Sequence, residues 1–201
     1  MSRRSWVFLL FFIFLHPSIF SQDTGSYADS IQAYVSNYIR THEVVKAKDR
    51  KFIRFYAPDE TFRVTAKFEK INNSPWFKMD ASGPIKKNYR IYGKAVFSIH
   101  DTTVVLQIYQ SQELMDDPEY RELLFIPFTD ATSGTETYTG GRYIDLYTSD
   151  IKNHQLVIDF NKAYNPYCAY ASGKYNCPVP PKENNLVVAI TAGEKKFEGG
   201  H

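Results

Sequence analysis

Four carboxylates, Asp130, Glu136, Asp145 and Asp159, fall within one stretch of the chain, and paired acids are what general acid and base chemistry needs. Glycoside hydrolysis uses two carboxyl groups at a defined separation, one protonating the leaving oxygen and one acting as base or nucleophile. The plainer reading of the same residues is structural: Asp130 and Glu136 cap turns around Thr132-Ser133-Gly134, while Asp145 and Asp159 bond backbone amides at strand edges. Arg142 follows Gly140-Gly141, a turn that can aim its guanidinium into a cleft and hold a carboxylate or phosphate through two parallel hydrogen bonds. It can equally pair inside the protein with Asp145 or Glu136. The two glycines are not a phosphate-binding loop, because the required lysine and helix do not follow; they suit a hairpin turn.

Aromatic and amide side chains surround these acids. Seven of the 15 tyrosines lie between residues 138 and 175. Tyr138, Tyr164, Tyr167 and Tyr170 sit in turn-like contexts where rings can line a pocket, whereas Tyr143, Tyr147 and Tyr175 read as wall or core positions. Thr132, Asn161, Asn165, Glu183 and Asn184 add directional hydrogen-bonding groups beside those flat faces. The combination suits a polar, ring-shaped or planar ligand, with Asp130, Thr132, Glu136, Tyr138, Arg142, Asp159, Asn161, Tyr164, Asn165, Tyr170, Glu183 and Asn184 as candidate contacts.

Other chemistries are disfavoured. Ser133 lacks the strand-to-helix elbow that exposes a hydrolase serine. His42, His100, His154 and His201 stand in no motif, so neither a Ser-His-Asp triad nor a histidine-rich metal site is expected. No metal or cofactor is implied. Cys168 and Cys177, the only cysteines, are too few to fill a zinc shell and are not spaced as a CxxC pair. In an exported chain they invite a disulfide; inert thiols and a reactive cysteine are the alternatives. Pro178, Pro180 and Pro181 stiffen the approach to Glu183-Asn184.

Export is the expectation from the N-terminus. Arg3 and Arg4 precede an apolar run, Trp6–Leu15, that ends near Pro17. This is a secretory leader over residues 1–21, cut after Ser21 and shorter than the ~20 apolar residues of a membrane-crossing helix. No stable membrane anchor follows its removal. The leader holds two of the 24 basic residues and none of the 22 acids, which leaves a neutral remainder. Nucleic acid is therefore not an expected partner, nor is a polybasic membrane-surface role.

The elements that must position these residues are mostly strands. Ile31, Tyr34, Val35, Tyr38, Ile39, His42 and Val45 recur at helical spacing, predicting an N-terminal amphipathic helix capped by Ser26 or Asp23. Beyond residue 50 the period becomes two. Strands are predicted over Phe52–Tyr56, Phe62–Phe68, Leu123–Phe128, Arg142–Tyr147, Leu156–Phe160 and Leu186–Ala192. A hairpin is predicted from Tyr89–Ile99 and Thr103–Gln110. With no strand-helix alternation, the fold class is mainly β: an antiparallel barrel or sandwich, one domain over residues 22–201.

The runs FTDATSGTETYTGGRY, DFNKAYNPYCAY, YNCPVPPKENNL and AGEKKF, preceded by RFYAPDETFRVTA and YGKAVFSI, closely resemble the signature of the domain of unknown function 1684 family of bacteria and archaea. The resemblance spans essentially the whole mature chain. It departs at Ala171-Ser172-Gly173-Lys174, where the family more often has an Asn and a shorter link to the second cysteine. It implies one recurring site or scaffold and brings no substrate, cofactor or mechanism. The first functional reading is an exported module binding a polar, saccharide-like small molecule. The alternatives are a metal-independent hydrolase using a carboxylate pair, with candidates Asp130, Glu136, Asp145 and Asp159, and a structural envelope protein with no ligand.

Overall fold

The computed structural model describes residues 25–199; the leader expected over residues 1–21 lies outside them. The chain is mainly antiparallel β, curled into a half-barrel with few helices. Its strands are β1 (Arg63–Lys70), β2 (Phe77–Lys78), β3 (Asn88–Ile99), β4 (Thr102–Ser111), β5 (Leu123–Phe128), β6 (Arg142–Tyr147) and β7 (Gln155–Asp159), in the order β6-β5-β4-β3-β1-β7, with β2 paired to β3.

Alternation decides which face of each strand is buried. In β1, Val64, Ala66 and Phe68 are buried while Arg63, Thr65, Lys67 and Glu69 are exposed. The β3-β4 hairpin turns through His100 and Asp101 at φ +45° and +62°, the left-handed pair that matches strand twist in a two-residue loop. Pairing shifts between Ile91 and Gly93. A Cβ at Gly93 would lie 2.4 Å from the Phe68 ring, so only glycine lets β1 and β3 approach here. Buried residues of the six long strands join Phe160, Ala163, Leu186, Ile190 and Ala192 in one core.

Before the sheet, Ser26 caps α1 (Tyr27–Thr41) through a reciprocal capping box with Asp29. The helix stops short of the apolar spacing: His42 leaves helical space at ψ 123°, so His42 and Val45 lie beyond it. The Arg50 side chain gathers the Arg40, His42 and Val45 carbonyl oxygens, including acceptors left open by the helix end.

Two expected strands are absent. Ala47–Phe52 forms a 3-10 turn, and Phe55 makes one bridge to Glu194; both sides of β1 are already occupied by β3 and β7. Leu186–Ala192 is core cover without a ladder: the Leu186 amide bonds the Thr129 carbonyl at 2.8 Å and the Ile190 amide an Asp130 carboxylate oxygen at 3.1 Å. Its alternating apolar residues report burial rather than pairing. The sheet is neither a closed barrel nor a two-layer sandwich, because β6 and β7 remain its unpaired edges. The chain leaves β7 at Asp159, turns through Phe160–Lys162 and bridges back to β6, with Tyr143 and Tyr164 exchanging backbone hydrogen bonds of 2.9 and 3.0 Å. This crossing links the two free edges and positions the cleft between them.

Candidate functional site

The polar residues of the sequence separate into an internal knot and an open cleft. Arg142 belongs to the knot. It is fully buried, and its guanidinium donates to an Asp130 carboxylate oxygen at 2.9 Å and to the Ile190 carbonyl at 2.9 Å, with further bonds to the Ala192 and Glu194 carbonyls. Burial pulls its pKa down and the facing Asp130 charge pulls it back up. The other Asp130 oxygen accepts from the Thr132 amide at 2.8 Å, the Thr132 hydroxyl at 2.6 Å and the Ile190 amide at 3.1 Å. Both expected roles are thereby corrected: Arg142 pairs inward with Asp130 and cannot reach a cleft, and Asp130 has no oxygen left for a substrate.

The amides are consumed in the same way. Buried Asn184 donates to the Gln107 and Pro127 carbonyls and accepts from the Gln107 amide at 2.7 Å. Buried Asn161 clasps Asp59 from both ends and donates to the Tyr27 hydroxyl. Glu183 is exposed, and Glu136 is exposed with a 3.1 Å bond from the Tyr56 hydroxyl. Tyr138 packs against a second apolar cluster that includes buried Tyr170.

That cluster shelters an acid the sequence reading did not single out. Glu194 has no solvent exposure and accepts from the Tyr170 hydroxyl at 2.5 Å, the Asn165 amide at 2.8 Å and the Tyr38 hydroxyl at 3.2 Å. Desolvation raises its pKa to about 7 against those bonds. Gly193 delivers it: at φ +78°, a Cβ would stand 2.6 Å from the Phe160 carbonyl. The Gly-Glu pair within AGEKKF was the available signal.

The cleft lies between the β6 and β7 edges. It has a volume of about 630 Å³ and is lined by Tyr34, Arg63, Asp145, Asp150, Lys152, Asp159, Lys162 and Tyr164 among others, within the range of small-molecule sites. Two of the four candidate acids, Asp145 and Asp159, therefore share one cavity, and Asp130 and Glu136 do not line it. Tyr164 donates to one Asp145 oxygen at 2.8 Å. One Asp159 oxygen accepts from Tyr27 at 2.9 Å and from Asn161. Each acid keeps its second oxygen without a hydrogen bond among the described residues. Asp145 retains solvent contact, yet the aromatic and aliphatic atoms around it desolvate the carboxylate and raise its pKa, with the Tyr164 bond opposing. Burial and then Asp145 drive the Tyr164 phenol up in turn.

Tyr34, Arg63, Asp150, Lys152 and Lys162 also line it and were not candidates. Tyr34 lay in the apolar helical stripe and Arg63 in the polar half of a strand, so only the tertiary meeting of β1, β6, β7 and α1 assembles them. Cys168 and Cys177 form a disulfide, and Cys177 lines an adjoining trough that Tyr164 also lines. Among the described residues no group of three or more His, Cys, Asp or Glu side chains is placed to hold a metal, and no helix is long and apolar enough to cross a membrane.

No curated protein matches this chain. It is similar to an uncharacterized protein of Haloarcula marismortui solved by solution NMR, at 27% identity and a TM-score of 0.63, over 83% of this chain and 92% of that one. Residues 49–195 match the model of the family described as "Protein of unknown function (DUF1684)", and that span takes in β1 to β7 together with Glu194. The chain belongs to the DUF1684 family.

Proposed function

We propose that the chain is an exported, single-domain binding protein for a small polyhydroxylated, saccharide-like molecule held in the cleft between β6 and β7. The observation that carries this is the pair of half-satisfied carboxylates, Asp145 and Asp159, in one cavity. An acceptor left unmade beside solvent-accessible space is a standing partner for a hydroxyl donor. The lining balances three acids (Asp145, Asp150, Asp159) with three cations (Arg63, Lys152, Lys162) and two phenols. That balance suits uncharged hydroxyl groups in the cleft, which both donate and accept, and the tyrosine faces suit a sugar ring. The leader pattern and the disulfide support export.

Isothermal titration of the purified protein with neutral mono- and disaccharides tests the reading. Binding is expected, weakened about tenfold or more by Asp145→Asn or Tyr164→Phe, the scale of one charge-assisted hydrogen bond. Glu136→Gln, outside the cleft, should leave affinity unchanged. Equal affinity in wild type and Asp145→Asn would remove the cleft assignment.

A hydrolase reading has one specific support: desolvation by the cleft lining raises the pKa of Asp145, a residue that is itself exposed, and Asp159 lines the same cavity. It predicts turnover of aryl glycosides that Asp145→Asn and Asp159→Asn both abolish. Failure of turnover with retained saccharide binding selects the binding protein. The scaffold alternative suits the Arg142 knot but leaves the free cleft oxygens without a purpose.

A further inference from the structure

The trough beside the disulfide differs in chemistry from the cleft it adjoins. It measures about 450 Å³ and is lined by Lys87, Tyr143, Tyr164, Tyr167, Lys174 and Asn176, with Tyr175, Cys177 and the flanking prolines closing it. Tyr164 lines both cavities, so one ring placed against it can reach into either. Tyr143 stands edge-on to Tyr164 at 5.9 Å, and Tyr167 edge-on to Tyr175 at 5.3 Å, an aromatic floor for an apolar ring face.

The trough is lined by two cations, Lys87 and Lys174, one amide and four phenols. Lys174 is exposed and its ammonium makes no hydrogen bond or ion pair among the described residues. Asn176 uses its carbonyl oxygen to accept from the Ile85 amide at 3.0 Å, and its amide nitrogen has no partner among the described residues. Lys87 is held by an exposed pair with Glu113 at 2.9 Å, an attachment that solvent screening makes weak. No carboxylate lines the trough. Three acids bond lining residues from outside it: Glu113 pairs with Lys87, Asp145 accepts from the Tyr164 hydroxyl at 2.8 Å, and Glu43 accepts from the Tyr167 hydroxyl at 2.9 Å.

Given saccharide binding in the cleft, we infer that the ligand carries an acidic substituent, its ring against Tyr164 and its negative group in the trough between Lys174, Lys87 and the Asn176 amide. The balanced cleft takes the hydroxyls; the trough, lined by two lysines and no carboxylate, takes the anion, where charge-assisted hydrogen bonds outweigh neutral ones. The shared chemistry is an anionic sugar, with a carboxylate or a phosphate as the charge.

Titration of the full chain with glucose, glucuronic acid and glucose 6-phosphate tests this. At least one acidic sugar should bind about tenfold more tightly than glucose, and which one does identifies the anion. Lys174→Glu should erase that preference. Lys174 is exposed, so folding is preserved, and an unchanged melting temperature checks it. Lys174→Arg should retain the preference. If all three sugars bind equally, or the preference survives Lys174→Glu, the trough assignment falls while the cleft reading stands, provided Asp145→Asn still weakens glucose. If no sugar binds, both fall.

Discussion

Two groups of acids on one sheet meet opposite fates. Asp130 is sealed with Arg142, and both of its oxygens are occupied by protein donors. Asp145 and Asp159 sit at the two free edges and each keeps an oxygen open. The difference follows from topology rather than residue type. Asp130 lies just beyond β5 beneath the Leu186–Ala192 cover, where buried polar atoms turn to internal partners, Arg142 Nε alone in the pair going without one. The edges β6 and β7 have no next strand, and the crossing at Tyr164 spans only one end of the gap. Polar groups therefore persist there at low cost.

The sharpest way to break this comparison is to remove one half of the knot. Arg142→Ala leaves Asp130 charged, buried and without its counter-ion, and should destabilise the fold by about 3–5 kcal/mol in urea unfolding. A loss below ~1 kcal/mol would mean the knot relaxes open and is not sealed.

Glu194 tests how closed the interior beside the knot is. Its pKa is raised from 4.5 to about 7 in the folded state. Between those values the folded protein holds a proton that the unfolded chain has released. Stability from this group is complete below pH 4.5 and declines as pH rises through 7, by on the order of 3 kcal/mol. Glu194→Gln should lack that slope. Parallel stability curves for the two proteins from pH 4 to 8 would show that Glu194 is not held neutral.

At the rim of the open region, the Cys168–Cys177 bond closes a short loop. Replacing both cysteines with serine should cost roughly 2–3 kcal/mol through the freed unfolded chain. Affinity for neutral sugars should change little, because the cleft does not contain the bond.

How much of this was legible in the sequence depends on which interactions were local. Alternation in β1, a hairpin turning near His100-Asp101-Thr102 and a helix cap at Ser26 or Asp23 are short-range and were readable. The absence of strands at Phe52–Tyr56 and Leu186–Ala192 was not, because it depends on which sheet edges remain free. The same limit applied to the site. Tyr, Asp and Asn density drew attention to a stretch from which Asp145, Asp159 and Tyr164 come to line one cavity. Yet Arg142, the most ligand-like residue by type, turned inward. Its Gly-Gly turn gave no indication that three carbonyls of Ile190–Glu194 would converge on it.

The smallest expected effect sharpens the comparison most. Asp145→Asn removes a charge held at some desolvation cost, keeps an acceptor for Tyr164 and borders open space. Its stability at pH 7 should therefore lie within about 0.5 kcal/mol of wild type, as for substitutions away from buried networks. The sign favours the variant. With the folded carboxyl raised by desolvation, wild type is at its relative best below the unfolded pKa and loses that advantage as pH rises through the folded value, so any gain by Asn appears at neutral pH and vanishes in acid. Urea midpoints at pH 4 and pH 7 measure both. A loss comparable to that of Arg142→Ala would place Asp145 in a sealed network of its own, and the distinction between knot and cleft would disappear.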